Sequence, residues 1–209
     1  QSRISIGTVG PTLPGVEVRI ADDDEILVRG GNVCAGYFKD PAATSALIDD
    51  EGWMHSGDLG SLDSEGYLRI TGRKKDLIIN SSGKNISPQE IETRLRFEPL
   101  ISQAVVIGDG RPYLTALLAL DGEVVAAWAA EHGELASMEA LVNDPELREA
   151  VQRSVDRVND EHSRIEGIKR WALLPHELTI DRGELTPTLK VKRQVVAERY
   201  ADLVEQLYA

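Results

Sequence analysis

Four short stretches of this 209-residue chain combine turn-forming residues with side chains able to do chemistry. In Gly52-Trp53-Met54-His55-Ser56-Gly57-Asp58-Leu59-Gly60, the aspartate follows a glycine in a tight turn at the end of a short strand. An ionised carboxylate has two acceptor oxygens and can take both hydroxyls of a ribose, and an Asp in such a place can equally cap its own turn. Gly72-Arg73-Lys74-Lys75-Asp76 groups three cations. They form either a solvated face or, at Arg73, a planar fork that gives paired hydrogen bonds to a phosphate. Ser81-Ser82-Gly83-Lys84-Asn85 leads into Ile86-Ser87-Pro88-Gln89-Glu90-Ile91-Glu92. Its glycine supplies a positive φ to a hairpin and also lets another molecule approach the backbone. Leu185-Thr186-Pro187-Thr188-Leu189-Lys190-Val191-Lys192-Arg193 precedes a helix. Lys190 is a surface charge there, or an ammonium on a loop that closes over a transferring phosphoryl group.

The elements that must position these residues follow from pattern. Residues 16–20 alternate and 25–29 follow the Asp22-Asp23-Asp24 turn, which predicts a hairpin. A short helix starts at Asp40-Pro41, and residues 53–62 and 66–72 form a second hairpin around Asp63-Ser64-Glu65-Gly66. The first third therefore reads as a small antiparallel sheet, β-barrel-like. After Gly72 the texture changes. Residues 77–79 and 85–87 flank a tight hairpin, Pro88 opens a helix with Glu90 and Glu92 early in it, and 104–107 and 114–120 are buried strands. Two or three helices fill 122–162, the last with Leu147, Val151, Val155 and Val158 on one face. A strand at 171–174 and a terminal helix over 192–207 complete an α+β second part, a small sheet flanked by helices. The boundary is expected at residues 73–76, giving regions 1–73 and 76–209.

Composition sets limits. With 42% hydrophobic and 28% charged residues the chain is globular in type, enough for one domain or two small ones. A net charge of −12 argues against a nucleic-acid partner, yet Arg73-Lys74-Lys75 with Lys84, and Lys190 with Lys192-Arg193, leave room for a small anion. No apolar run is long enough to span a bilayer and no signal leader is visible. The single cysteine, Cys34, forbids an intrachain disulfide; it reads as a small core hydrophobe and favours the cytoplasm. The chain opens at Gln1 inside a strand-rich region, so a fragment is expected.

In this order the four stretches resemble the C-terminal motifs of the acyl-adenylate-forming superfamily: acyl-CoA synthetases, luciferases and peptide-synthetase adenylation domains. Residues 53–75 are similar to the segment Gly-Trp-hydrophobic-His-(Ser/Thr)-Gly-Asp…Gly-Arg-Lys-Lys-Asp of fatty acyl-CoA synthetases. The Leu185–Arg193 stretch resembles the long-chain branch, with Leu189 standing where many other members have glycine. The resemblance runs over essentially the whole chain.

The resemblance implies a C-terminal fragment of a long-chain fatty acid–CoA ligase, inactive alone. Its parent would make acyl-AMP from a fatty acid and ATP with magnesium, then the CoA thioester. It implies that Asp58 and Arg73 bind nucleotide, that Lys75 is the hinge, that Lys190 is the catalytic lysine of adenylation, and that Ser82 and Gly83 line the CoA tunnel. The family's phosphate loop, its Tyr-Gly-x-Thr-Glu segment and its acyl pocket lie upstream in relatives. The partners implied are therefore ATP, fatty acid, CoA and the missing N-terminal region, with magnesium held mainly by that region. The location would be cytoplasmic, with peripheral membrane contact allowed. The alternatives are a ligase that loads a carrier protein and a non-catalytic interaction module.

Overall fold

A computed structural model describes residues 4–131 and 141–209. Part of the helical stretch expected over 122–162 lies outside the described residues. The chain divides into two compact units, residues 1–77 and 78–209.

The first unit is an open antiparallel sheet of five strands: β1 (Gly10–Pro11), β2 (Val16–Ile20), β3 (Glu25–Gly30), β4 (Met54–Leu62) and β5 (Tyr67–Arg73), in the order β1-β5-β4-β3-β2. It does not close into a barrel. Helix α1 (Pro41–Leu47) starts on Asp40, whose carboxylate accepts from the Ala43 amide at 2.9 Å. The unit's core is small, made by Ile26, Leu27, Trp53 and Leu59. The Arg19 and Arg29 guanidinium carbons lie 4.6 and 4.4 Å from the Trp53 ring centre, so cation–π contact substitutes for missing apolar depth. Cys34 is exposed, not a core residue. Its apolar neighbours lie in the irregular segment after β3, where no sheet pairing turns them inward.

The second unit is built on three strands, β8 (Ile101–Ile107), β9 (Leu114–Leu120) and β10 (Ile168–Leu173), in the order β10-β9-β8. β8 and β9 are antiparallel; β10 joins β9 parallel. All seven residues of β9 are buried, which explains its unbroken Leu-Thr-Ala-Leu-Leu-Ala-Leu run: both faces of the sheet are covered. On one face Ala104, Val106, Ala116 and Leu118 meet α2 (Pro88–Arg96), α3 (Gly122–Glu131) and α4 (Pro145–Asp160). On the other, Val105, Leu117 and Ala119 pack with Leu178, Leu185, Val196 and Val204. Each fully buried leucine of this kind contributes about 2 kcal/mol. Helix α4 carries Leu147, Val151, Val155 and Val158 inward and is capped by Asp144, which accepts from the Leu147 amide at 2.8 Å. The terminal helix expected over 192–207 is two helices, α5 (Arg193–Arg199) and α6 (Ala201–Tyr208). The break falls at Tyr200 (φ −105°, ψ 27°), whose hydroxyl is tied to Glu184 and His176. Tertiary bonding, not a glycine or proline, ends the first helix. A two-stranded ribbon, β6 (Ile78–Ile79) with β7 (Asn85–Ile86), opens the unit.

Candidate functional site

In the first unit β4 and β5 run antiparallel with Asp58 opposite Arg73. Arg73 Nε lies 2.8 Å from Asp58 Oδ1 in an ion pair, and both side chains are partly open to solvent. A carboxylate has further acceptor capacity and a guanidinium further donors, so an exposed pair of this kind is able to meet a ligand. The register slips just after Leu59, and such a bulge re-aims neighbouring side chains. Gly57 sits at φ +71° in a bulge within β4, where the pairing with β3 shifts between Glu25 and Leu27. Asp58 therefore lies inside the nine-residue strand, not in a turn at a strand's end. Ser56 Oγ braces the bulge: it donates to the Ile26 carbonyl at 2.7 Å and accepts from the Asp58 amide at 3.1 Å. Ser56, Gly57, Arg73, Lys74 and Lys75 line a cleft of about 470 Å³. After β5 the chain makes a single 3₁₀ turn, Lys74–Asp76, that carries the exposed Lys75.

Behind the cleft lies a residue that sequence reasoning missed. Glu25, 4% exposed, accepts from His55 Nδ1 at 3.0 Å, the Gly57 amide at 3.0 Å and Lys74 Nζ at 3.2 Å. A carboxylate only accepts, so His55 Nδ1 carries the proton. Burial pushes the Glu25 carboxyl up, but the His55, Gly57 and Lys74 donors outweigh it and hold it below its ordinary value. Lys74 also meets Asp23 at 2.6 Å, and those two partners hold its ammonium above the usual lysine range. The one signal in the sequence was an acidic residue at the head of an apolar strand.

In the second unit Ser82 and Gly83 lie on the β6–β7 hairpin. Buried Asn80 organises it: its Oδ1 accepts from the Ser82 amide at 3.1 Å, the Ser82 hydroxyl at 2.7 Å and the Lys84 amide at 3.0 Å. Gly83 is at φ +78°, and a Cβ built there meets nothing within 4 Å. The hairpin tip is therefore open backbone. It is pinned from behind, Ser81 N to the Arg111 carbonyl at 2.9 Å and Ile79 N to Asp109 Oδ1 at 3.0 Å.

Lys190 stands exposed on a separate loop of the same unit. A tight turn holds it: the Leu189 amide donates to the Thr186 carbonyl at 2.9 Å, the Thr186 amide to the Lys190 carbonyl at 2.8 Å, and the Lys190 amide to Thr186 Oγ at 3.0 Å. Leu189 is at φ +60°, in the left-handed position that hairpins of this loop length normally give to glycine. The loop's base is Glu184, fully buried, which accepts from Arg199 at 2.8 Å, the Thr179 amide at 3.1 Å and the Tyr200 hydroxyl at 3.1 Å. Burial pushes that carboxyl up; Arg199 and the other donors win and hold it low. Arg193, next in the basic run, is turned inward. It forks onto Glu92 of α2 and bonds the Val106 carbonyl at 2.8 Å, so it anchors α5 to α2 and β8.

Among the described residues no three His, Cys, Asp or Glu side chains converge to hold a metal ion, and no helix is long and apolar enough to cross a membrane.

Residues 75–209 match the family model of the AMP-binding enzyme C-terminal domain. The chain is 46% identical over 207 residues to the long-chain-fatty-acid–CoA ligase FadD15 of Mycobacterium tuberculosis, covering 98% of this chain and 34% of that protein. It thus spans about a third of the length of that curated relative. Among solved structures, the ATP-bound RpMatB-BxBclM chimera B1 is 30% identical at a TM-score of 0.66, over 94% of this chain and 36% of that one. The adenylation domain of a carboxylate reductase from Mycobacterium chelonae shares the fold, with a TM-score of 0.72 at 20% identity, over 95% of this chain and 31% of that chain.

Proposed function

The chain belongs to the family of AMP-binding enzyme C-terminal domains, and from that membership we propose that it is the C-terminal part of an AMP-forming long-chain fatty acid–CoA ligase. The observation that carries the reading is the Asp58–Arg73 pair at 2.8 Å beside a cleft lined by Lys74 and Lys75. Such a pair presents acceptors for ribose hydroxyls and a guanidinium for phosphate from one rigid pair of strands. The 46% identity to a long-chain-fatty-acid–CoA ligase supports the substrate class.

In the first half-reaction a fatty acid carboxylate oxygen attacks the α-phosphorus of ATP, and the bond to the pyrophosphate oxygen breaks. Negative charge grows on the phosphoryl oxygens, and the Lys190 ammonium stabilises it more in the transition state than in the substrate. In the second, the CoA sulfur attacks the acyl carbon and AMP leaves as the carbon–oxygen bond breaks. Ser82 and Gly83 offer open backbone past which a pantetheine arm can lie. The loop of Lys190 and the hairpin of Gly83 serve these two steps in turn. Residues 1–73 act as the last β-rich subdomain of the adenylating region. Residues 76–209 act as the mobile domain, with the turn at Lys75 as the pivot. The magnesium needed for ATP chemistry belongs with residues upstream of this segment.

The test compares this chain alone with the same chain joined to its upstream region, each given ATP, magnesium, CoA and palmitate. The joined protein is expected to form thioester at an ordinary enzyme rate, about 10 per second, and the segment alone to form none. Thioester made by the isolated chain overturns the fragment reading. A carrier protein accepted in place of CoA overturns the CoA assignment.

A further inference from the structure

Three hydrogen bonds, two from β4 and one from the turn after β5, converge on one buried carboxylate beside the proposed nucleotide site. Glu25 lies at the head of β3, opposite Leu59. Its Oε1 takes the Gly57 amide; its Oε2 takes His55 and Lys74. The residues it grips precede Asp58 on β4 and follow Arg73 just past the end of β5. Folding would ordinarily place an apolar side chain at such a position, because a buried carboxylate is costly unless every oxygen is satisfied. Here both oxygens are satisfied, and two of the three donors belong to the bulged stretch of β4 just before Asp58. Neighbouring backbone bonds lock the same corner: Gly60 N donates to the Asp24 carbonyl at 2.9 Å and Ala21 N to the Glu25 carbonyl at 2.9 Å.

We propose that Glu25 is a positioning residue for ribose recognition, holding the His55–Gly57 bulge of β4 so that Asp58 presents its carboxylate to the ribose hydroxyls. It touches no substrate itself. The inference rests on the reading of Asp58 as the ribose ligand and adds to it the element that sets its aim. A bulge with a glycine at φ +71° has little stiffness of its own. The carboxylate supplies that stiffness from behind, through the Gly57 amide on one side and the His55 ring on the other. Arg73 fixes Asp58 Oδ1 from the front. With both constraints present, the Asp58 carboxylate has one direction left.

The experiment uses the full-length ligase that contains this segment and measures pyrophosphate release with ATP and with 2′-deoxy-ATP. Asp58→Ala removes the ribose acceptor and is expected to erase most of the preference for ATP. Glu25→Gln keeps the shape and one acceptor oxygen but drops the charge. It is expected to reduce the ATP over 2′-deoxy-ATP preference about fivefold, acting through KM while kcat changes less than twofold. A purely structural role would lower both nucleotides' rates alike and leave their ratio unchanged; that result overturns the inference. Should Glu25→Gln not accumulate as folded protein, His55→Ala, which removes a half-exposed donor and leaves the carboxylate in place, is expected to reduce the same ratio by about twofold. An unchanged ratio there overturns the inference equally. If Asp58→Ala itself leaves the preference intact, the ribose assignment fails, and the inference with it.

Discussion

At Gly83 the backbone reaches φ +78° with glycine, and at Leu189 it reaches +60° with leucine. Both positions cap tight turns in the second unit. The buried Asn80 side chain organises the first through three bonds; Thr186 closes the second through its carbonyl and hydroxyl, while the buried Glu184 at the loop's base bonds Arg199, Thr179 and Tyr200. The Gly83 turn has empty space where a Cβ would project, so packing does not demand glycine there. The Leu189 turn accepts an L-residue at about 1 kcal/mol of conformational cost. Fold requirements alone thus permit a side chain at either tip. On the proposed function, what separates the two is what each tip is for: open backbone at Gly83, a lysine ammonium beside Leu189.

The largest expected effect that sharpens this contrast is on rate. In the full-length protein, if it is the proposed ligase, Lys190→Ala is expected to slow pyrophosphate release about a hundredfold. Thioester formation from supplied acyl-AMP should be nearly untouched. Gly83→Leu should do the reverse, sparing adenylation and blocking transfer to CoA. Separate assays of pyrophosphate release and acyl-AMP consumption check this; equal slowing of both steps by either variant breaks the assignment of one loop to each step.

Next come the braces. Glu184 is a fully buried carboxylate held by Arg199, so Glu184→Gln is expected to cost roughly 3 kcal/mol of second-unit stability. Asn80→Ala, which removes a neutral acceptor, should cost only about 1–2 kcal/mol. Both are read from urea unfolding of the isolated chain. The pH dependence follows from the sign of the shift. Glu184 sits below its ordinary value, so its charged form stabilises fully above about pH 4.3 and loses that contribution as pH falls through the lower folded value. The gap between wild type and Glu184→Gln should therefore close as pH drops from about 5 toward 3. A gap that stays constant means the ion pair is not what braces the loop.

The smallest effect is the most direct test of the comparison. Leu189→Gly relieves the left-handed cost but adds unfolded-state freedom, so a net gain of about 0.5 kcal/mol is expected. Thermal unfolding measures it. A loss instead of a gain means that the leucine side chain contributes contacts that outweigh its strain.

Much of the frame was legible in the sequence because local chemistry and global fold agree. Strands β2 and β3 announce themselves by alternation around the three aspartates, α4 by its four-residue apolar stripe, and β9 by an apolar run suited to a sheet covered on both faces. The motif residues Asp58 and Arg73 are adjacent because two antiparallel strands put them opposite each other. What escaped was decided by distant partners. Strand β1 is two residues long and exists only as an edge of β5. β10 begins at Ile168, three residues before its apolar part is recognisable, because Lys169 and Arg170 point out. Tyr200 breaks the terminal helix through bonds to Glu184 and His176, which no window around it contains. Glu25 and Glu184 sit beside turns and look like ordinary turn acids; only their burial separates them from exposed Asp22 or Asp181.

The parallel pairing of β10 with β9 has a consequence for how the chain is made. β9 can dress one edge at once, since β8 lies just before it, but its other edge waits for a strand that begins only at Ile168. Through the synthesis of α3 and α4 the nascent unit carries a strand that is apolar but for Thr115, with a bare row of amides and carbonyls. Parallel closure across so long a connection is slow compared with hairpin formation. A message cut short within α4 thus yields a sticky product rather than a smaller domain, and the last forty residues double as the sheet's own chaperone.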